Sequence, residues 1–209
     1  MWRYDLNFIN LGIREHSNII PKNIIEIGSR DGHDAKSLAN SFQLSDSSCY
    51  IFEPNPDSAT NILRDYPNMN LYNNAVSDIS GVANFCIEKE NTGASSLLER
   101  TEGNKNDIIS VDCVRMDEFI ESTGLQTIDI AKIDVEGAAL NVLKSFGNHL
   151  DKLQSLQIEL EHKEFWKGQS LYQEVKEWLN AHGYVEIMFV LLRGTQSDSF
   201  WLKRDRMVL

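Results

Sequence analysis

The sequence predicts an α/β fold built on a mostly parallel sheet, and two observations carry this prediction. From residue 24 onward, short apolar runs alternate with segments of helical periodicity, which is the pattern of parallel βαβ units. The last two apolar runs, 184–192 and 199–203, are joined by the short segment 193–198, which favours a hairpin. The final strand is therefore expected to run antiparallel to its neighbour.

The elements of the first half follow from local signals. The first apolar run ends at Gly28, and the second is stopped by Pro54 and Pro56. The predicted elements are strands at 24–28, 49–53 and 69–76 and helices at 34–42 and 57–64.

The pattern changes after the third strand. Strands are predicted at 82–87 and 109–114 without a helix between them, and they bracket the polar segment 90–107. Long polar loops inside small domains commonly cover binding sites. We therefore predict a hairpin and loop insertion that acts as a lid.

Alternation then resumes, and Gly183 ends the last helix as a C′ glycine. The remaining predicted elements are helices at 116–122, 137–146 and 171–181 and strands at 128–135, 153–160, 184–192 and 199–203.

Composition indicates a globular protein. The chain has 209 residues, 42% hydrophobic and 24% charged, a balance that disordered chains do not have. This length predicts one domain, 1–209, in which residues 1–22 form an N-terminal extension. Asp and Glu number 31 against 20 Lys and Arg, so the net charge is −11. We expect neither nucleic acid nor a membrane as partner, because both require basic patches.

The three cysteines, Cys49, Cys86 and Cys113, lie far apart in apolar runs and form no C-x-x-C pair. This spacing predicts buried thiols rather than a disulfide framework or a zinc site. Segment 1–10 lacks a basic region followed by an apolar run, and no apolar run approaches the roughly 18 residues of a membrane span. The expected location is cytoplasmic.

A glycine turn after the first strand and an acid at the end of the second indicate a nucleotide site. Gly28 and Gly32 allow a tight turn at the carboxyl end of the sheet, and Asp31 adds a carboxylate. Arg30 stands where a G-x-G-x-x-G motif would have glycine, which weakens a pyrophosphate interpretation. Glu53 offers two acceptor oxygens for the hydroxyls of a ribose. Together they predict an adenosine-type ligand.

Ionisable side chains also end the next two core strands. Because side chains alternate along a strand, Lys132, Asp134 and Glu136 are expected on one side. A lysine in an apolar strand needs an anionic partner, and Asp134, Glu136 and Glu161 are the candidates. The following strand ends with Glu159, Glu161 and His162. His162 is a candidate general base, and a structural role is equally compatible with its position.

The same residues offer oxygen and nitrogen ligands for a metal ion. Asp134, Glu159, Glu161 and His162 are suitable in type, but the chain has no H-E-x-x-H motif and no Cys/His spacing. A divalent cation is therefore compatible with the sequence but is not the favoured interpretation.

These motifs, taken in order over about residues 22–204, resemble the FkbM-type class I S-adenosylmethionine-dependent methyltransferases. The resemblance lies in I-E-I-G-S-R-D-G at 25–32, F-E-P-N-P at 52–56, N-A-V-S-D at 74–78 with Gly81, A-S-S-L at 94–97, V-R-M-D-E-F-I at 114–120 and I-D-I-A-K-I-D-V-E-G at 128–137. One position departs from the D-x-E-G-x-E pattern of many relatives, because Ala139 stands where they have glutamate.

The resemblance implies a Rossmann-like methyltransferase fold, with a seven-stranded sheet of order 3-2-1-4-5-7-6 and helices on both faces. It implies that Gly28, Asp31 and Gly32 meet the methionine end of S-adenosylmethionine. Glu53 would then bind the ribose hydroxyls, and Asn74 and Ala75 would lie beside the adenine. Asp134 would face the methionine portion and the substrate.

The implied reaction is methyl transfer to a hydroxyl of a small-molecule or glycan acceptor, with Asp134, Glu161 or His162 as the base and Lys132 in the same cluster. Two alternatives remain at this stage. One is a nicotinamide-dependent oxidoreductase, which the missing G-x-G-x-x-G motif disfavours. The other is a nucleotide-binding module without catalysis. The sequence specifies neither the acceptor nor the oligomeric state.

Overall fold

The computed structural model describes residues 4–88, 92–102 and 107–208. The helices are α1 (Tyr4–His16), α2 (His33–Phe42), α3 (Pro56–Asp65), α4 (Met116–Thr123), α5 (Ala139–Lys144) and α6 (Tyr172–Ala181). The strands are β1 (Ile24–Ile27), β2 (Cys49–Phe52), β3 (Asn70–Tyr72), β4 (Ala75–Val76), β5 (Gly81–Ile87), β6 (Asp107–Val114), β7 (Ile130–Ile133), β8 (Ser155–Glu161), β9 (Tyr184–Leu192) and β10 (Gln196–Lys203).

Seven strands form one sheet in the order β3-β2-β1-β7-β8-β10-β9. The pairs from β3 to β8 are parallel, and β10 is antiparallel to both of its neighbours. When β4, β5 and β6 are left out of the count, this is the predicted order 3-2-1-4-5-7-6. The α/β fold and the antiparallel final strand are thus confirmed.

Helices cover both faces of this sheet because the strands alternate their side chains between two apolar cores. In β1, Ile24 packs into one core, and Ile25 and Ile27 pack into the other. The core that contains Ile24 is completed by α1, α2 and α3, and the opposite core by α4, α5 and α6.

The insertion after β3 is a separate three-stranded sheet in the order β4-β6-β5. A single strand at 69–76 was the sequence prediction, and it is wrong in this detail. β3 pairs with β2 in the large sheet, whereas β4 pairs with β6 in the small one. The break falls at Asn73, whose side-chain amide donates to the carbonyl oxygens of Glu53 (2.7 Å) and Pro54 (3.1 Å) and so holds the chain where it leaves the sheet.

The predicted N-terminal extension contains a helix that the sequence pattern did not reveal. Ile9 and Ile13 of α1 are buried in the core beneath α2 and β10. Gly12 lies against the ring of Phe200, and a Cβ there would stand 2.0 Å from a ring carbon. The helix is therefore packed as part of the sheet's outer layer.

All three cysteines are buried and free, as predicted. Among the described residues, no helix combines the length and the apolar character needed to cross a membrane.

Candidate active site

A cleft with about 870 Å³ of empty volume opens at the carboxyl ends of β1, β2 and β7. Ligands of open α/β sheets bind at this edge, where strand ends and their loops converge. The predicted site residues that line the cleft are Gly28, Asp31, Glu53, Asn74, Ala75, Lys132 and Asp134.

Gly28 brings two strand ends together at the floor of the cleft. Its φ is +80°, and a Cβ at this position would lie 1.8 Å from the carbonyl oxygen of Asp134. The Gly28 N–H donates to the carbonyl oxygen of Phe52 (3.0 Å), which also ties the turn to β2. Only glycine fits both this backbone conformation and this close approach.

The Glu53 carboxylate is buried and held by backbone donors. Oε2 accepts from the N–H of Arg30 (2.7 Å) and Oε1 from the N–H of Asn55 (2.8 Å). Burial raises its pKa, and these hydrogen bonds oppose the shift. A carboxylate has about four acceptor positions, so the fixed group can still accept a hydrogen bond from a ligand in the cleft.

Lys132 is buried between two carboxylates. Its Nζ lies 3.4 Å from Oδ2 of Asp34 and 3.4 Å from Oδ2 of Asp134, and its side chain is 4% exposed. The predicted pairing with a carboxylate is confirmed, and Asp134 is the partner among the three candidates. Asp34 comes from the first turn of α2 and completes the arrangement.

Asp134 also belongs to a cluster of three acids. One carboxylate oxygen each of Asp134, Glu136 and Glu159 lies within 4.8 Å of the other two. Burial first, and then the charge of Asp134, raises the pKa of Glu136 to about 9 and that of Glu159 to about 10. Burial also raises the pKa of Glu161 to about 7. Glu136 has a φ of 51°, an uncommon conformation for a residue with a side chain.

Comparison with known proteins identifies the family. The sequence model of the methyltransferase FkbM domain matches residues 26–186, which is most of the chain. The protein belongs to the FkbM methyltransferase family. Membership favours methyl transfer over the nicotinamide-dependent alternative.

Two relatives of this FkbM domain illustrate the range of similarity. The 2-O-methyltransferase NoeI of Sinorhizobium fredii (strain NBRC 101917 / NGR234) is 25% identical over 194 residues, which is 84% of this chain and 76% of that protein. The crystal structure of methyltransferase FkbM from Methylobacillus flagellatus KT superposes with a TM-score of 0.56 at 12% identity. That match covers 88% of this chain but only 44% of the other one.

A second similar structure contains bound SAM. Magnesium protoporphyrin IX methyltransferase (ChlM) from Synechocystis PCC 6803 with bound SAM has a TM-score of 0.50 at 9% identity, over 88% of this chain and 71% of that one. At such identities the comparison establishes the shared fold.

Three predicted site residues of the FkbM domain lie outside the cleft lining. Gly32 begins α2 with a φ of +73°, and a Cβ there would meet the ring of Tyr66 at 2.9 Å. Glu161 is buried behind the lining, where its Oε2 accepts from the Gln169 amide (3.0 Å). His162 points to the opposite side of β8 and stacks on Tyr172, with ring centroids 4.7 Å apart.

Several lining residues were not predicted. Asp34 is a partner of the buried Lys132, and its position in the first turn of α2 gave no separate signal. Further examples are Ser29, Phe85, Leu97 and Ala138. Small and apolar side chains carry no local mark of a binding role, so only the folded arrangement identifies them.

The predicted lid is only partly visible, since residues 89–91 and 103–106 lie outside the described part of the chain. Within it, Gly93, Ser95 and Leu97 line the cleft. The Ser96 hydroxyl donates to the carbonyl oxygen of Glu136 (2.6 Å). This hydrogen bond joins the insertion to the acidic cluster.

Glu26, a buried residue of β1, is expected to make the stability of the fold depend on pH. Its carboxylate accepts from the N–H of Ala35 (3.0 Å), and burial raises its pKa from 4.5 to about 7. Between these values the folded protein keeps the proton while the unfolded chain releases it. Stability should therefore fall as the pH rises from about 4.5 to 7, with Glu26 contributing on the order of 2–3 kcal/mol.

Urea unfolding of the wild type and of Glu26→Gln at pH 5 and pH 8 measures this contribution. Glutamine does not ionise, so its stability should fall less over this range than that of the wild type. Glu177→Gln, a change at an exposed site on α6, serves as the control and should follow the wild type. Parallel curves for Glu26→Gln and the wild type would contradict the shifted pKa.

Proposed function

We propose that this FkbM domain transfers a methyl group from S-adenosylmethionine to a hydroxyl of a small-molecule or sugar-type acceptor. The observation that carries the proposal is the buried Glu53 carboxylate, held beside the Gly28 turn and facing the cleft. A fixed carboxylate at the end of the second strand suits the two hydroxyls of a ribose.

The residues of the cleft fit the rest of this cofactor. Phe52, Val76 and Phe85 supply an apolar wall suited to an adenine ring. Asp31 and Asp134 also line the cleft, and their carboxylates suit a positively charged amino acid portion. ChlM, which shares the fold, is a SAM-binding methyltransferase by its description, and this supports the same donor here.

When bound, S-adenosylmethionine supplies an electrophilic methyl group. The chain's part is to align the acceptor with that group and to exclude water. Asp134 is the candidate base, because it lines the cleft with a side chain that is 34% exposed and can accept a proton from a hydroxyl. The orientation of His162 on the far side of β8 argues against the base role considered for it.

A hydroxyl acceptor is supported by the name of the relative NoeI, a 2-O-methyltransferase. The experiment is to supply S-adenosylmethionine with a labelled methyl group together with saccharides, other alcohols and amines. Labelled ethers of the hydroxyl compounds are the expected products. Labelled amines would contradict O-methylation. Binding of the donor without transfer to any class would favour a binding module.

Glu53→Ala is expected to weaken S-adenosylhomocysteine binding by about 10- to 100-fold. The expectation follows from about 1.5–3 kcal/mol for hydrogen bonds to a charged group. Calorimetry on the two proteins measures the difference, and circular dichroism checks that the variant is folded. Glu177→Gln should bind like the wild type. An unchanged dissociation constant for Glu53→Ala would remove this carboxylate from the proposed site.

A further inference from the structure

The acidic cluster beside the cleft has the composition and spacing of a cation site. Asp134 and Glu136 follow β7, and Glu159 projects from the neighbouring strand β8. Their carboxylate oxygens lie within 4.8 Å of one another, and all three side chains are half-buried. Three oxygens at this spacing can each lie within about 2.8 Å of a common centre, close to the 2.3–2.6 Å of calcium–oxygen bonds.

A fourth carboxylate nearby has an oxygen without a hydrogen-bond partner. Glu161 is 1% exposed, and its Oε1 has no partner among the residues that the structure describes. It follows Glu159 by two residues in β8, so the two side chains share a face of that strand. A buried carboxylate oxygen with no donor is costly, and a cation would relieve that cost.

Among the described residues, the basic side chains near this cluster are fewer than its acidic side chains. The carboxylates that interact here are Asp34, Asp134, Glu136, Glu159, Glu161 and Asp198. Among the described residues, the cations in the same network are Lys132, between Asp34 and Asp134, and Arg100, near Glu136. Arg100 is also 3.9 Å from Glu88. Acidic side chains therefore outnumber basic ones where Asp134 meets the cleft.

We propose that Asp134, Glu136 and Glu159 bind one divalent cation of the magnesium, manganese or calcium type, with Glu161 beside it. An all-oxygen ligand set selects such hard cations. Because Asp134 lines the cleft, the cation stands at the wall where the acceptor binds, a role that rests on the proposed function. An acceptor with two adjacent oxygens, such as a vicinal diol of a sugar, suits the remaining coordination positions.

The proposed cation would lower the pKa of a coordinated hydroxyl and orient it toward the donor. The acceptor oxygen gains the methyl carbon as the carbon–sulfur bond breaks, and the hydroxyl proton passes to a carboxylate oxygen that the cation leaves free.

The test is a titration of the chelator-treated full chain with Mn²⁺, without S-adenosylmethionine, followed by calorimetry. One saturable site is expected in the wild type. Glu136→Gln and Glu159→Gln should each weaken binding at least 10-fold, because each replaces a carboxylate ligand with a neutral amide. Glu177→Gln removes one exposed charge from α6 and should leave binding unchanged. Equal binding by all four proteins, or no saturable binding by the wild type up to millimolar Mn²⁺, overturns the proposal.

A second measurement needs no carboxylate variant. Trp166 packs over Gly137, so close that a Cβ on this glycine would lie 3.1 Å from the indole, and Gly137 adjoins Glu136. Excitation of tryptophan in the wild type should sensitise the luminescence of bound Tb³⁺, and Mn²⁺ should displace it. If the wild type shows no Tb³⁺ luminescence that Mn²⁺ can displace, the proposed cation site is contradicted. This result holds even if the carboxylate variants do not fold.

S-adenosylhomocysteine binding by the same preparation separates the two proposals. If the protein binds S-adenosylhomocysteine but has no Mn²⁺ site, only the proposed cation site is overturned. A Mn²⁺ site without S-adenosylhomocysteine binding overturns the methyl-donor site and leaves the cation standing.

Discussion

Lys132→Met is expected to lower the free energy of unfolding by about 3–5 kcal/mol, the cost of removing one partner from a buried ion pair. The methionine would fill a similar volume, but it would leave Asp34, which is 8% exposed, and Asp134 without the ammonium 3.4 Å away. Chemical unfolding at pH 7, monitored by circular dichroism, measures the loss.

Two controls isolate the electrostatic part of this effect. Lys167→Met removes a 2.7 Å ion pair to Glu99 whose side chains are more than 60% exposed, and it should leave the free energy of unfolding nearly unchanged, because solvent screens such pairs. Adding Asp34→Asn to Lys132→Met should recover part of the lost stability, because it removes one buried negative charge that has lost the ammonium. A loss below about 1 kcal/mol for Lys132→Met would mean that the lysine is not required to balance these acids.

Gly28→Ala is expected to cost at least 3 kcal/mol of stability and to abolish measurable S-adenosylhomocysteine binding. A φ of +80° alone costs an alanine about 1–2 kcal/mol. The new methyl group would also lie 1.8 Å from the carbonyl oxygen of Asp134, which is backbone and moves only if β1 and β7 separate. Such a separation would displace the turn that precedes Asp31.

Gly194→Ala is the matched control, because Gly194 has a similar φ of +73° but no atom of the described residues lies within 4 Å of the point where a Cβ would lie. Gly194→Ala should lower the free energy of unfolding by about 1–2 kcal/mol, the cost of the positive φ alone. The difference between the two variants in thermal and urea unfolding then measures the close contact at the cleft. Equal losses would show that the contact with Asp134 carries no cost.

Much of the binding site was predictable because its residues belong to short local patterns. Gly28 ends an apolar strand, and Glu53 ends the next one just before Pro54, so their meeting at one edge follows from parallel strand pairing. The buried Lys132 predicted a carboxylate partner from its own desolvation cost. The structure brings these residues to one cleft.

Other features depend on contacts between distant segments and have no local signal. Strand alternation places His162 and Glu161 on opposite faces of β8, but which face meets the cleft is decided by the pairing of β8 with β7 and β10. The split between β3 and β4 likewise depends on β6, which follows more than 30 residues later and pairs only with the second piece.

By itself, the sequence determined the class of fold, the order of its core strands and the residue types at their carboxyl ends. These are consequences of hydrophobic periodicity and of turn chemistry, which act over a few neighbouring residues. Only the tertiary structure decided that α1 completes a core layer, that Asp34 pairs with Lys132 and that Glu136 meets Glu159. Those outcomes depend on which surfaces pack together to bury apolar area and balance charge, a property of the whole chain that no short segment encodes.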